Sequence, residues 1–561
     1  MNAHLRCIPL GGLGEIGRNM MVVEYGDDIL AIDAGVMFPE NEMLGVDLVI
    51  PDVSYLRDKL HRVRGIIITH GHEDHVGSLP YVLPQLNFPP VWATRLTAGL
   101  ITVKLREHRL AERVTLRTFA PEDTLQFGSL RAEFFRVCHS IPDGVGVALH
   151  TPAGTIVHSG DFKFDYTPVD RRRTDFAKLA QLGAGGVLCL FSDSTHADRP
   201  GYTPSEAAVG EAFDAIFAAA RGRIIVTTFA SLISRIQQVI DAAVRHERRV
   251  GVIGRSMVQN VAIAQELGYL TAPPGVLLRP EETAAIGKLP PRGVVLVTTG
   301  SQGEPTSALT RMANRDHRQI EIVPGDTVIM SAAPIPGNEE LVHRTIDNLF
   351  RLGANVVWGH DPQVHVSGHA SQEELKLLIS LLKPTYFVPI HGEYRHLILH
   401  ARLAQGLGIP APNIFVIEDG DVLEFTEEGA EVCEHVSAGY VFVDGLGVGD
   451  VGQVVLRDRQ HMAQDGILIV SITVDRHTGA PIAGPDILSR GFVYMRESEE
   501  LIAQARTQVQ LALEATQHAD TGEPGAIDWQ HVKTKIRDVL SKFVYDQTRR
   551  RPMILPLVME V

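Results

Sequence analysis

Residues 70–75 read His-Gly-His-Glu-Asp-His and follow directly on the apolar run Gly-Ile-Ile-Ile-Thr, which has the length of one buried strand. Three imidazoles and two carboxylates, packed this closely at the end of a strand, restrict what the chain can become. Borderline cations such as zinc take imidazole nitrogen and carboxylate oxygen at about 2.0–2.2 Å. His70 and His72, two apart, can direct both rings at one ion, while Asp74 and His75 face a neighbouring one. Further ligands must come from other strand ends, and three candidates stand in order: His139 ends AEFFRVCH, Asp161 ends GTIVHSGD and His391 ends TYFVPIH. Any one of them alone would read as a core or loop residue. Together with the first motif they read as a metal centre in a layered α/β fold, where loops at strand ends carry the chemistry.

With 561 residues the chain is long enough for three or four units of roughly 100 to 200 residues. Hydrophobic residues make up 45% and charged residues 21%, a globular balance. No run reaches the ~18 apolar residues of a bilayer span and the N-terminus has no apolar signal core, so a cytoplasmic protein with no membrane partner is expected. The cysteines, Cys7, Cys138, Cys189 and Cys433, form no Cys-x-x-Cys pair, which argues against a disulfide framework or a thiolate zinc site. A net charge of −15 argues against nucleic-acid binding by bulk electrostatics. A nucleic-acid substrate would need a local groove.

Short strands ending in polar loops (MMVVEYG, DILAIDAG, VRGIIITH, GTIVHSGD, VLCLFSD) fill the first two hundred residues. From about 205 to 350 helices alternate with single strands, as in SEAAVGEAFDAIFAAARG before RIIVTTFA, the pattern of a parallel Rossmann-like sheet. NVVWG, the helix SQEELKLLISLLK and the strand TYFVPIHG then restore the first pattern, so the middle unit reads as an insertion. Residues 418 to 450 are acidic and glycine-rich and read as a connector. A β-then-α segment follows, with strands expected at GILIVSITVD and GFVYMRE. Arg171–Arg173 and Arg549–Arg551 read as solvated faces, and AVGEAFDAIFAAA as helix packing.

HGHEDH, His139, the Asp161 of HSGD and the Asp33 of AIDAG resemble the motifs of the metallo-β-lactamase superfamily. That resemblance implies one ion held by His70, His72 and His139, a second by Asp74, His75 and His391, and Asp161 bridging them, with Asp33 orienting the ligand loop. Two such ions can share a hydroxide nucleophile and stabilise an in-line phosphoryl displacement. The long insertion between Asp161 and His391 resembles the β-CASP group, which acts on nucleic acid. By the same resemblance Asp193 in FSDST orients His369 in HVSGHA, and His369 protonates the leaving 3′ oxygen. Asp193, His369 and Asp74 are thus the expected catalytic residues. The loop His365, Val366, Ser367, Gly368 and His369 offers donors to substrate phosphate.

IDAGVMFPENEMLGVDLVIPD, TTGSQGEPTSAL, HVSGHA and SRGFVYMRE extend the resemblance to bacterial ribonuclease J along the whole chain. It implies an αββα sandwich (1–204 and 351–425) interrupted by a β-CASP domain (205–350), then a linker (426–450) and a small α+β C-terminal domain (451–561). The implied activity is processive 5′-to-3′ exonucleolysis of single-stranded RNA with a 5′-monophosphate, together with endonuclease activity, in rRNA and mRNA maturation and decay. Two divalent ions, zinc or manganese, a structural calcium at Gly45, Asp47 and Asp444, a homodimer or tetramer, and partners in RNA degradation are implied too. Competing readings are a small-molecule metallohydrolase such as a lactonase, a DNA-directed β-CASP nuclease and a noncatalytic RNA-binding scaffold. The first would not need the insertion, and the intact ligand set argues against the last.

Overall fold

The structure, a computed structural model, describes residues 4–284, 286–335, 338–359, 362–475, 481–493, 498–517 and 529–561. The chain divides into two compact units, Met1–Phe38 with Leu48–Val441, and Pro39–Asp47 with Phe442–Val561. In the larger unit an eight-stranded sheet runs in the order Ala430–His435, Asp421–Phe425, Leu5–Gly11, Met20–Tyr25, Asp28–Ile32, Val63–Ile67, Val91–Ala93, Leu116–Thr118. A six-stranded sheet runs Tyr386–Ile390, Cys189–Asp193, Gly154–His158, Val145–Thr151, Leu130–Arg136, Thr124–Phe127. Cys7, Val23, Leu30 and Ile67 of the first meet Phe134, Val147, Phe191 and Val388 of the second in a shared apolar layer.

Helices cover both outer faces. Ala98, Ile101 and Leu105 of the helix Arg95–Glu107, spaced three and four apart, pack on Val22, Ala31 and Ile66. Leu375, Leu378 and Leu382 of Gln372–Leu382 pack with Ala148, Leu190 and Phe387 on the other side. Met20 and Val22 point into one layer and Met21 and Val23 into the other, which is why this strand is apolar throughout rather than alternating. Burying each such side chain contributes about 1.5–3 kcal/mol.

The insertion is a five-stranded sheet, all parallel, in the order Arg249–Ile253, Val294–Thr298, Ile224–Thr227, Thr327–Met330, Asn355–Val357. Ile224 and Val226 face one apolar cluster and Ile225 the other, as a doubly wound sheet requires. Two readings of the sequence change. Asn355–Val357 pairs with Thr327–Met330 and so completes the inserted sheet instead of opening the return to the sandwich. A strand of three residues carries no mark of which sheet it joins. The expected connector also contains structure, because Ala430–His435 pairs with Asp421–Phe425 at the edge of the first sheet. An exposed edge strand has no buried face to impose alternation.

In the smaller unit Ile467–Val474 lies between Pro481–Arg490, antiparallel, and Met553–Glu560, parallel. One face of it packs on the helices Glu499–Gln517 and Trp529–Thr548 through Val470, Ile472, Val509, Ile536 and Leu540. The second strand thus precedes the expected GFVYMRE, of which residues 494–497 lie outside the described residues. Among the described residues no helix is long and apolar enough to cross a membrane. All four cysteines are free, three buried and Cys433 exposed.

Candidate metal centre

Strand direction gathers the site. Gly154–His158, Cys189–Asp193 and Tyr386–Ile390 are mutually parallel, and Leu130–Arg136 reaches the same direction through two antiparallel steps, so all four end at one edge of their sheet. Residues 139, 161 and 391 follow those ends, and Asp193 is the last residue of its strand. In the facing sheet Asp28–Ile32 and Val63–Ile67 are parallel, and Asp33 and His70 follow them.

Two clusters result. His72 Nδ1 lies 3.1 Å from both His70 Nε2 and His139 Nε2. In the second, Asp74 Oδ2 lies 3.5 Å from His75 Nε2 and 3.3 Å from His391 Nε2. Asp161 Oδ2 is 3.2 and 3.4 Å from His75 and His391 in the second cluster, and 3.7 and 3.8 Å from His70 and His139 in the first. Ligand atoms about 2.0–2.2 Å from a cation lie roughly 3.4 Å apart on a tetrahedron, and these separations are of that size. His70, His72 and His139 form one group that could hold a metal ion, and Asp74, His75, Asp161 and His391 another.

Burial pushes His70 and His139 well below the usual imidazole pKa and His72 down to about 4, which keeps the rings neutral, as ligands must be. For His75 and His391 burial works in the same direction, but nearby carboxylates, Asp161 foremost, outweigh it and raise both. A cation entering there would displace protons.

These side chains are braced from behind. Asp33 accepts from His75 Nδ1 at 2.7 Å and from the Thr69 backbone at 2.8 Å, fixing which ring nitrogen faces the cluster. Asn19 donates to the Asp74 carbonyl through its backbone and its side chain, at 3.1 and 3.0 Å. A Cβ at Gly35 would stand 1.5 Å from that carbonyl oxygen, so only glycine fits. Asp33 (φ 64°) and His391 (φ 54°) both occupy the left-handed region, where non-glycine residues are strained.

Asp193 divides its two oxygens. Oδ2 accepts from His369 Nδ1 at 2.8 Å, while Oδ1 accepts from Thr195 Oγ1, itself 2.8 Å from His391 Nδ1. For His369 burial disfavours the charge, but the Asp193 carboxylate more than offsets it and raises the pKa. Asp193 is held well below the carboxylate range in return, despite its burial. A ligand-type atom of His369 also lies within ligating range of His139 and Asp161. The residues 365–369 lie beside this histidine, and His139 Nδ1 donates to the Gly368 carbonyl at 2.8 Å; a Cβ at Gly368 would strike the His139 ring at 2.6 Å.

Sequence reasoning missed Asn19, Thr195 and the buried His158 and His196. Thr195 had a signal, since a threonine two residues after an aspartate closes a turn on it, as the 3.0 Å bond from its N–H to Asp193 Oδ1 does. The others are ordinary residues until the fold brings them in. The residues of the expected calcium site make contacts within the smaller unit. Asp444 is paired with Arg459, which also donates to the Leu44 carbonyl, and Asp47 Oδ2 accepts from the Gly445 N–H. Arg171–Arg173 and Arg549–Arg551 are solvent-exposed, while Val209, Phe213 and Phe217 of the AVGEAFDAIFAAA stripe are core.

Comparison with known proteins follows the same division. Residues 13–199 match the metallo-β-lactamase superfamily, 221–349 the ribonuclease J β-CASP domain, 362–412 a Zn-dependent metallo-hydrolase RNA specificity domain, and 454–561 the ribonuclease J C-terminal domain. The chain is 47% identical to ribonuclease J2 of Bacillus subtilis, covering 100% of this chain and 99% of that one. It is 46% identical to ribonuclease J 1 of Streptococcus pyogenes over 98% of this chain and 96% of the relative, and 42% identical to ribonuclease J of Synechocystis over 98% and 86%. A solved protein of unknown function from Enterococcus faecalis V583 shares the fold, with a TM-score of 0.54 and 16% identity over 75% of this chain and 100% of that one. The chain belongs to the ribonuclease J family, and is a metal-dependent ribonuclease built from metallo-β-lactamase, β-CASP and C-terminal domains.

Proposed function

We propose that the protein is a two-metal ribonuclease that degrades single-stranded RNA from a 5′-monophosphate in the 5′-to-3′ direction and also cuts internally. The observation that carries this is Asp161 Oδ2 standing within 3.2–3.8 Å of four imidazole nitrogens from two clusters, as a ligand shared by two ions would. His70, His72 and His139 would hold one ion, Asp74, His75 and His391 the other, and zinc suits this donor set best. When bound, such ions supply an activated water and neutralise the phosphodiester charge. His369, protonated and aligned by Asp193, gives its proton to the leaving 3′ oxygen. Asp33 and Thr195 orient His75 and His391.

Residues His365 to His369 surround the terminal phosphate with donors, and a closed pocket excludes the bulkier triphosphate. The protein is read as cytoplasmic. Leu555, Leu557 and Met559 lie exposed along one face of the strand Met553–Glu560 and support a homodimer formed through the C-terminal unit.

The test compares one RNA bearing 5′-monophosphate, 5′-hydroxyl or 5′-triphosphate, and a matched DNA, in wild type and Ser367→Ala. Wild type should favour the monophosphate RNA, and the variant should lose part of that preference while keeping internal cleavage. Equal rates on all three ends would refute the pocket, and equal rates on DNA would turn the reading to a DNA-directed nuclease. Elemental analysis with metal-specific reconstitution checks the ion.

A further inference from the structure

The segment 365–369 lies between the strand Asn355–Val357 and the helix Gln372–Leu382, and two buried anchors hold its ends. At its start the Val364 carbonyl accepts from Arg235 Nη1 at 3.1 Å and from Ser331 Oγ at 2.6 Å. The same guanidinium nitrogen donates to the Ser331 hydroxyl and carbonyl, while Nε and Nη2 both donate to Glu206 Oε1. Arg235 is 0% exposed and Glu206 5%. Behind them Lys163, two residues after Asp161, donates to the Pro204 carbonyl and lies 3.9 Å from Glu206.

At the other end the His369 carbonyl accepts from Thr203 Oγ1 at 2.7 Å. Glu374, 0% exposed, accepts from the N–H groups of Thr203 and Ser371 through one oxygen and of Phe164 through the other. The two ends of the segment thus hang on different side chains. Arg235 belongs to the helix Ile233–Arg245 of the inserted domain, whereas Thr203 precedes that domain and Glu374 belongs to the sandwich.

A guanidinium is suited to the first anchor because its fork can hold a carboxylate on one edge and two carbonyls and a hydroxyl on the other, which an ammonium cannot reach together. The bonded carbonyl immediately precedes His365, the first residue of the loop. We propose that the Arg235–Glu206 pair, through Ser331, is a positioning device for the 5′-end half of this loop, separate from the Thr203–Glu374 anchor that sets the pose of His369. It rests on the reading of residues 365–369 as the terminal-phosphate pocket. Through it the inserted domain governs which 5′ ends are accepted without touching the acid.

The experiment uses the full-length protein and the variants Arg235→Lys, Ser331→Ala and Thr203→Val, with kcat and KM measured on one RNA carrying 5′-monophosphate or 5′-hydroxyl, and cleavage of a circle of the same sequence. Arg235→Lys should reduce the monophosphate-to-hydroxyl ratio by about tenfold, the loss of one hydrogen bond to a charged group. The loss should appear in KM for the monophosphate RNA, with kcat and cleavage of the circle within about twofold of wild type. Ser331→Ala leaves the ion pair intact and should shift the ratio the same way by a smaller factor, which keeps the test open if Arg235→Lys does not fold. Thr203→Val should slow every substrate alike and leave the ratio unchanged. A ratio preserved in folded Ser331→Ala and Arg235→Lys overturns the anchor, as does a loss shared equally by all substrates. Equal wild-type rates on both ends would instead remove the pocket reading, and this inference with it.

Discussion

The loop His70–His75 and the loop His365–His369 are both rich in histidine, yet they are held in opposite ways. The first is braced by neighbours in its own sheet: Asp33 at the end of the adjacent strand, Thr69 just before it, and Asn19 on the Asp74 carbonyl. The second is held by Thr203, Arg235, Ser331 and Glu374, which come from four separate segments. The difference follows from what each loop is read to bind. A cation is gathered by side chains, which strand ends deliver at fixed spacing. An anion is met partly by backbone, and backbone is fixed by whatever packs behind it.

The largest expected effect breaks the first loop at its ligands. Asp74→Ala and His72→Ala should each abolish cleavage while the chain stays folded, because each removes a metal-binding atom without opening the apolar layers. Circular dichroism, metal content and turnover with metal not in excess check this; wild-type-like turnover would sink the assignment. Next comes the second loop. His369→Ala should slow cleavage by about 10²- to 10⁴-fold with metal content unchanged, the usual contribution of a general acid. His369 also lies within ligating range of His139 and Asp161. If this variant loses an ion and His391→Ala does not, the two histidines exchange roles.

This contrast also explains what the sequence reveals. HGHEDH announces itself because five ligand-type residues stand in one short segment, and His139, Asp161 and His391 because each ends an apolar run. The parallel inserted sheet was legible from the alternation of its helices and strands, whereas the αββα layering was implied by the family resemblance. Arg235 in ISRIQQ and Glu374 in SQEELK look like the solvated face of a helix, and the fold buries both completely. Thr203 and Ser331 are isolated hydroxyls whose partners lie 166 and 33 residues away. No local spacing encodes such pairs. Asn355–Val357 shows the same limit at the level of a whole strand.

A smaller effect tests how far the first loop depends on its brace. Asp33→Asn keeps the shape but weakens the bond that fixes the His75 ring, and should lower metal affinity by about 10- to 100-fold, with activity recovered in excess metal. Competition with a chelator measures this. Unchanged affinity would mean that the Thr69 and Asn19 contacts alone suffice.

The smallest effect concerns His391, a candidate ligand held partly in the manner of the second loop. Its N–H donates to the Gly12 carbonyl at 3.1 Å, and the Gly12–Leu13 segment is fixed by a buried ion cluster: Glu15 accepts from the Gly12 N–H, Asp419 from the Leu13 N–H, and Arg18 donates to both carboxylates at 2.8 Å. Burial, then the charge of Glu15, push the Asp419 carboxyl up to about 7 in spite of Arg18. A folded-state pKa above the unfolded value of about 3.9 means that the protonated acid stabilises the fold below about pH 4, and that this contribution disappears as pH rises through about 7. Asp419→Asn removes the titration while keeping an oxygen for Arg18 or Leu13. The variant's melting temperature relative to wild type should therefore rise between pH 6 and 8.5, with the difference turning in the variant's favour as wild-type Asp419 ionises. A difference that stays flat over that range, or moves against the variant, would show that Arg18 already neutralises the pair and that His391 leans on no titrating support.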